Sequence, residues 1–273
     1  MPTQREKAER FHSLHAGEAP LLLPNPWDVG SAMVLVSLGF SAIATTSSGH
    51  AATLGRLDGG VTRDEALAHA AAIAAATDVP VSADLERCFA DDPEGVAETV
   101  RLALAAGLAG CSVEDAPGHG GPGIAVYDAG LARARVEAAA EVAHATDVPF
   151  VLTARAENLL HGSDLADTIA RLQSFQEAGA DVLFAPGVID ADDIASIVRS
   201  VDRPVNVLVL PGVPTVPELA ALGVARVSVG GGFAYAAIGA LVEAGRELLD
   251  QGTFGYFARA GVGRSAVRST FTP

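Results

Sequence analysis

Short apolar runs alternate with amphipathic, alanine-rich stretches along the chain. Apolar runs bounded by turn formers read as buried strands, and longer stretches with helical periodicity read as surface helices. Residues 21–23, Leu-Leu-Leu, stop at Pro24-Asn25-Pro26 and lead into a helical pattern at about 29–38. Residues 41–45 read as a second strand that ends in Thr46-Ser47-Ser48-Gly49. Strands are then expected at 80–84, 110–114, 150–154, 181–185, 205–210 and 226–229.

The segments between them carry helix signals. Thr62 with Glu65 forms a capping box for a helix reaching about Ala76. Pro93 suits a first helical turn, and Gly179 suits a helix end. Further helices are expected at about 129–145, 164–178, 191–200, 217–222 and 235–250. Thr77-Asp78-Val79-Pro80 and Thr146-Asp147-Val148-Pro149 repeat before two of the strands, as repeated helix-to-strand loops would. Eight such units in 273 residues predict an α/β protein, a (β/α)8 barrel of the TIM type, over a doubly wound sheet. The chain is expected to be one barrel domain over 1–273, with a short helical segment at 1–18 and a tail at 254–273.

Three strand patterns end in charge: Ser82-Ala83-Asp84-Leu85-Glu86, Glu114-Asp115, and Arg155 with Glu157. Parallel barrels build active sites from the carboxyl ends of their strands. Composition fits a buried core of small and branched side chains, with 49% hydrophobic and 5% aromatic residues. A net charge of −15 argues against nucleic-acid and anionic-membrane partners, and leaves a small anionic substrate open. No apolar stretch reaches membrane-spanning length, and the charged start lacks a signal peptide, so the cytoplasm is the expected compartment. Cys88 and Cys111 have neither metal-ligand spacing nor a disulfide framework.

The motifs Pro24-Asn25-Pro26-Trp27-Asp28, Thr46-Ser47-Ser48-Gly49, Leu54-Gly55-Arg56-Leu57-Asp58, Ser82-Ala83-Asp84-Leu85-Glu86, Val113-Glu114-Asp115 and Ala154-Arg155 occur in this order. Together they resemble the isocitrate lyase and phosphoenolpyruvate mutase superfamily over about residues 22–249. The resemblance implies a Mg2+-dependent barrel enzyme acting on a small anionic carboxylate through an enolate. It also implies a homo-oligomer, dimer or tetramer, whose neighbours exchange the C-terminal helix. The expected reaction is that of a C–C lyase or decarboxylase on a 2-oxo or 2-hydroxy acid. Phosphonopyruvate hydrolysis or mutase-type P–C chemistry is the alternative, and a non-catalytic carboxylate-binding barrel is the third.

The resemblance assigns metal binding to Asp84, Glu86 and Glu114, because hard oxygen donors suit Mg2+. Arg155 is expected to face a carboxylate or enolate, and the backbone N–H groups of Ser48 and Gly49 to grip it. Trp27 is expected to wall the substrate pocket, and Asp58, Glu114, Arg155 and His50 to carry catalysis. Each has a plainer role open to it: solvated acid, structural ion pair, turn former or packed ring. Ser82 replaces the first acid of the family motif. The loop 118–123, Gly-His-Gly-Gly-Pro-Gly, lacks the cysteine of the family's C–C lyases and is expected to lie over the site.

Overall fold

The computed structural model describes residues 2–118, 125–162 and 164–271. Eight parallel strands form a nearly closed (β/α)8 barrel. They are β1 (Leu21–Leu23), β2 (Ile43–Ala44), β3 (Val81–Asp84), β4 (Gly110–Glu114), β5 (Val151–Arg155), β6 (Val182–Phe184), β7 (Val205–Leu208) and β8 (Arg226–Ser228). Strands β2 to β8 pair in sequence order and β8 pairs with β1, which leaves β1 and β2 as the two unladdered edges. Between β1 and β2 the Ala44 N–H donates to the Pro24 carbonyl at 3.1 Å, narrowing the remaining gap.

The helices are α1 (Gln4–Leu14), α2 (Val29–Ser37), α3 (Ser47–Thr53), α4 (Arg63–Ala76), α5 (Pro93–Ala105), α6 (Ala129–His144), α7 (Leu165–Glu177), α8 (Ala191–Ser200), α9 (Val216–Ala221), α10 (Gly232–Arg246) and α11 (Phe257–Thr270). Every helix from α1 to α9 is preceded by a Thr or Asp N-cap, which satisfies N–H groups that lack intrahelical partners. None of these helices or their successors is long and apolar enough to cross a membrane.

Strand alternation divides the core in two. One set of residues, including Ile43, Ala83, Cys111, Val113, Leu152, Ala154, Leu183, Val207 and Val227, packs outward against the helices. The other set lines the barrel. Its lower end is closed by α1, whose Ala8 and Phe11 cluster with Leu21, Ala42, Val151 and Val182. Gly110 leaves room for that plug: a Cβ there would lie 3.1 Å from the Phe11 ring and 2.5 Å from the Val151 carbonyl.

Three elements depart from expectation. Residues 47–53 form α3 where a turn was expected, because Thr46 caps the segment and starts a helix. The C-terminal tail forms α11, which lies beside α2 with a Thr270–Ser37 hydroxyl contact of 3.0 Å. Strand β7 stops at Leu208, short of 210. Helices α10 and α11 lack side-chain N-caps and bury little of their apolar surface: Leu241 and Val262 are 71 and 73% exposed, and Leu249 in the π-helical turn Glu247–Gln251 between them is 86% exposed.

Candidate active site

At the carboxyl ends of β3, β4 and β5, one guanidinium gathers three carboxylates. Arg155 Nη1 lies 3.2 Å from Asp84 Oδ1 and 2.7 Å from Glu114 Oε1, and its Nε lies 2.8 Å from Glu157 Oε1. Glu114 and Arg155 are paired residues of neighbouring strands, so the contact follows from register. Glu157 reaches back from a 3-10 turn, Glu157–His161, that follows β5. The Phe184 ring of β6 supports the guanidinium, with its centroid 4.9 Å from Cζ. Burial opposes the charge on Arg155, but Glu114, Glu157 and Asp84 outweigh it and push its pKa up.

The start of α3 completes Asp84. The Ser47 N–H donates to Asp84 Oδ2 at 3.0 Å, and the Asp84 N–H donates to Thr45 Oγ1 at 2.9 Å. Asn25 ties the neighbouring loops together. Its Nδ2 donates to the Thr45 carbonyl, and its Oδ1 accepts from the Val229 and Gly230 N–H groups, each at 2.9 Å. Gly49 is required by packing, since a Cβ there would lie 2.5 Å from Thr46 Cγ2 and 3.0 Å from Trp27 Cβ.

Below the rim is a cavity of about 220 Å³. Asp58, Asp84, Glu114 and Arg155 border its acidic side, while Thr153, Asn206, Arg226 and Ser228 are among its other lining residues. Arg226 is 4% exposed. Its Nε donates to Asn206 Oδ1 at 2.9 Å and its Nη2 to Thr153 Oγ1 at 3.0 Å. Its Nη1 lies 3.3 Å from His15 Nε2. Burial and the repulsion of Arg155 lower the Arg226 pKa to about 9.

Residues 11–249 match the family model described as phosphoenolpyruvate phosphomutase. The chain belongs to that family. An uncharacterised Mycobacterium tuberculosis protein is 35% identical over 243 residues, covering 88% of this chain and 89% of its own. An oxaloacetate decarboxylase from Chromohalobacter salexigens is 29% identical over 262 residues, covering 91 and 88%. The solved structure of a Burkholderia cenocepacia J2315 protein, provisionally assigned as a lyase/mutase, superposes with a TM-score of 0.93 at 47% identity, covering 99 and 97%.

Of the residues expected from sequence, this family member brings Asp58, Asp84, Glu114, Arg155 and Ser48 to the cavity wall. Ser48 places its hydroxyl 3.2 Å from Thr46 Oγ1. Gly49, Trp27, His50 and Glu86 are not among the cavity-lining residues. The Gly49 N–H donates to Thr46 Oγ1 as part of the α3 cap, and Ser47, two residues earlier, supplies the N–H that meets Asp84. Trp27 presents its carbonyl to His69 Nε2 at 3.0 Å. His50 stacks on His69 with centroids 3.7 Å apart in a small chamber behind α3, and burial lowers its pKa. Glu86, whose φ is +52° just past the end of β3, lines that chamber together with Asp84. His119 and most of the expected covering loop lie outside the described residues.

Sequence reading gave no role to Ser47, Asn25 or Arg226. The signal for Arg226 was its alternation with Ser228 across the apolar Val227. Among the described residues no three His, Cys, Asp or Glu side chains stand in metal-ligating geometry. Magnesium takes one or two carboxylates and completes its shell with water and substrate, so the set still fits. Arg155 draws Asp84, Glu114 and Glu157 together, which concentrates hard oxygen donors at this end of the barrel.

Proposed function

We propose that this chain is a Mg2+-dependent lyase or decarboxylase that breaks a C–C bond of a small 2-oxo or 2-hydroxy carboxylate and leaves an enolate. The observation that carries the reading is the triple carboxylate clamp on Arg155, seated at the strand ends beside Asp84. Asp84 would hold Mg2+, with Glu114 near it and Glu86 behind, and the ion would supply Lewis-acid stabilisation of the developing enolate. Arg155 fixes the three acids and keeps positive charge close to the developing anion. The Ser47 N–H holds Asp84 in one orientation, and the Ser48 hydroxyl offers a polar contact at the cavity wall. Leu160, Phe184 and Leu208 limit water around the reacting carbon.

In a decarboxylation the bond to the departing carboxylate breaks, its electron pair moves onto the 2-oxo oxygen, CO2 leaves and the enolate takes a proton from solvent. That sequence needs no cysteine acid or base, which suits a chain whose two cysteines are both buried. The similarity to a named oxaloacetate decarboxylase over most of both chains supports this branch. The exposed apolar surface of α10 and α11 supports a homo-oligomer, dimer or tetramer, built through the C-terminal arm.

The test is release of pyruvate, glyoxylate or oxalate from oxaloacetate, methylisocitrate, isocitrate, dimethylmalate and phosphonopyruvate, with Mg2+ or with chelator. Metal-dependent turnover of a carboxylate substrate, abolished in Asp84→Ala, is the expected result. Turnover of phosphonopyruvate alone would transfer the assignment to P–C chemistry. Ligand binding without turnover, indifferent to Mg2+, would make the barrel a carboxylate sensor.

A further inference from the structure

Among the described residues, Arg135, Lys7 and Arg226 are buried without a direct carboxylate contact, each in a different way. Arg135 is enclosed by the main-chain carbonyls of Arg87, Ala90, Asp91 and Glu114. Lys7 donates to the carbonyls of Ala74 and Thr77. Both are thus surrounded by fixed negative dipole ends. Among the described residues Arg226 meets neither a main-chain carbonyl nor an acid: its three contacts are an amide oxygen, a hydroxyl and an imidazole nitrogen. A guanidinium carries more N–H donors than these bonds use. Buried charge is costly unless paired, and an Arg is rarely buried without a counter-charge.

Its contacts hold it rigidly toward the cavity. The ring of His15 bonds at Nδ1 to the Phe11 carbonyl, 2.8 Å away, so Nδ1 carries the proton and Nε2 accepts from Arg226. Burial, with the nearby Arg226 charge, lowers the His15 pKa to about 3, which keeps that acceptor neutral. Asn206 is itself oriented by donating to Ser228 Oγ at 3.0 Å. Thr153 and Asn206, like Arg226, are cavity-lining residues. The cavity is therefore polarised, with clustered acids at the rim and a cation lacking a counter-ion at another part of its wall.

We infer that Arg226 is a specificity-determining residue whose missing counter-ion is the second acidic group of the substrate. The inference rests on the proposed carboxylate chemistry, and it narrows the substrate to a dianion whose remote carboxylate sits beside Arg226, Asn206 and Thr153. The metal-facing end remains at Asp84 and Arg155.

The experiment is calorimetric binding of 2-oxoglutarate and of pyruvate, in Mg2+, to the wild type, Arg226→Met and Asn206→Asp. Both ligands carry the same 2-oxo acid head, and only the first adds a remote carboxylate. Asn206→Asp is nearly isosteric and supplies the counter-ion internally, so it is expected to fold even where Arg226→Met does not. The expected result is a 10- to 100-fold loss of 2-oxoglutarate affinity in either variant, roughly the weight of a charge-assisted pair, with pyruvate changed less than about threefold. Equal losses for both ligands, or no loss in Asn206→Asp, would overturn the assignment and leave Arg226 a structural residue. Absence of turnover in the substrate panel would overturn the proposed function while leaving this binding comparison readable.

Discussion

Replacing Arg155 by methionine isolates the electrostatics of the rim. Methionine keeps an unbranched apolar stem above Phe184 and removes the guanidinium that bridges Asp84, Glu114 and Glu157. Those side chains are 16, 4 and 6% exposed. Breaking a buried pair by deleting one partner costs about 3–5 kcal/mol, because the other charge stays behind. Here three carboxylates are left close together, and the cheapest response is proton uptake. Their folded pKa values then rise above the unfolded ones, so the variant loses stability as pH rises and regains it as pH falls. One retained proton gives a slope of about 1.4 kcal/mol per pH unit, or about 3 kcal/mol between pH 7.5 and 5.5. Urea unfolding of metal-free wild type and variant at equal protein concentration, across this range, measures the difference directly. A difference that is near 3–5 kcal/mol at pH 7.5 and shrinks toward acid is expected. A loss below about 1 kcal/mol, or one flat in pH, would refute the picture of a buried three-carboxylate clamp.

Other outcomes follow from different parts of the fold. His15 has a folded pKa of about 3, lowered by burial and then by Arg226. Its neutral form is favoured, so its stabilisation is complete above the unfolded value and is lost as pH falls, by about 2 kcal/mol at pH 5. His15→Gln should flatten that part of the acid-unfolding curve, and an unchanged curve would contradict the shift. Gly110→Ala places a methyl against the Val151 carbonyl and Phe11, and should lower stability by about 2–3 kcal/mol in thermal or urea unfolding. The α10–α11 arm should make the protein an oligomer in sedimentation velocity. Leu241→Asp with Leu249→Asp should shift it to monomer, whereas a monomeric wild type would remove the arm's proposed role.

The barrel was legible because its strands are apolar runs stopped by Pro, Gly or Asp, and because Thr and Asp caps mark successive helices. The charged rim was legible for the same reason: Asp84, Glu114 and Arg155 are the last residues of β3, β4 and β5. Helix α3 was not, since Ser-Ser-Gly-His has weak helix propensity. Its helicity depends on the Thr46 cap and on Gly49 seating against Trp27 and Ala234. Glu86 lies off the main cavity because the backbone turns left-handed just past the last residue of β3. Arg226 escaped because a lone arginine opening a short strand reads as solvated. Only barrel closure turns that position inward, beside Asn206 and Thr153. The extent of α11 was hidden by its glycines and by contacts with α2 that are distant in sequence.

The central claim is that the rim beside Asp84 stabilises the enolate of a 2-oxo acid. Proton NMR of pyruvate in D2O tests it without knowledge of the natural substrate. With wild type and Mg2+, deuterium should enter the methyl group well above the buffer rate, and chelator or Asp84→Ala should return exchange to that rate. Exchange no faster than buffer in the wild type, or exchange unchanged in Asp84→Ala, would contradict the account.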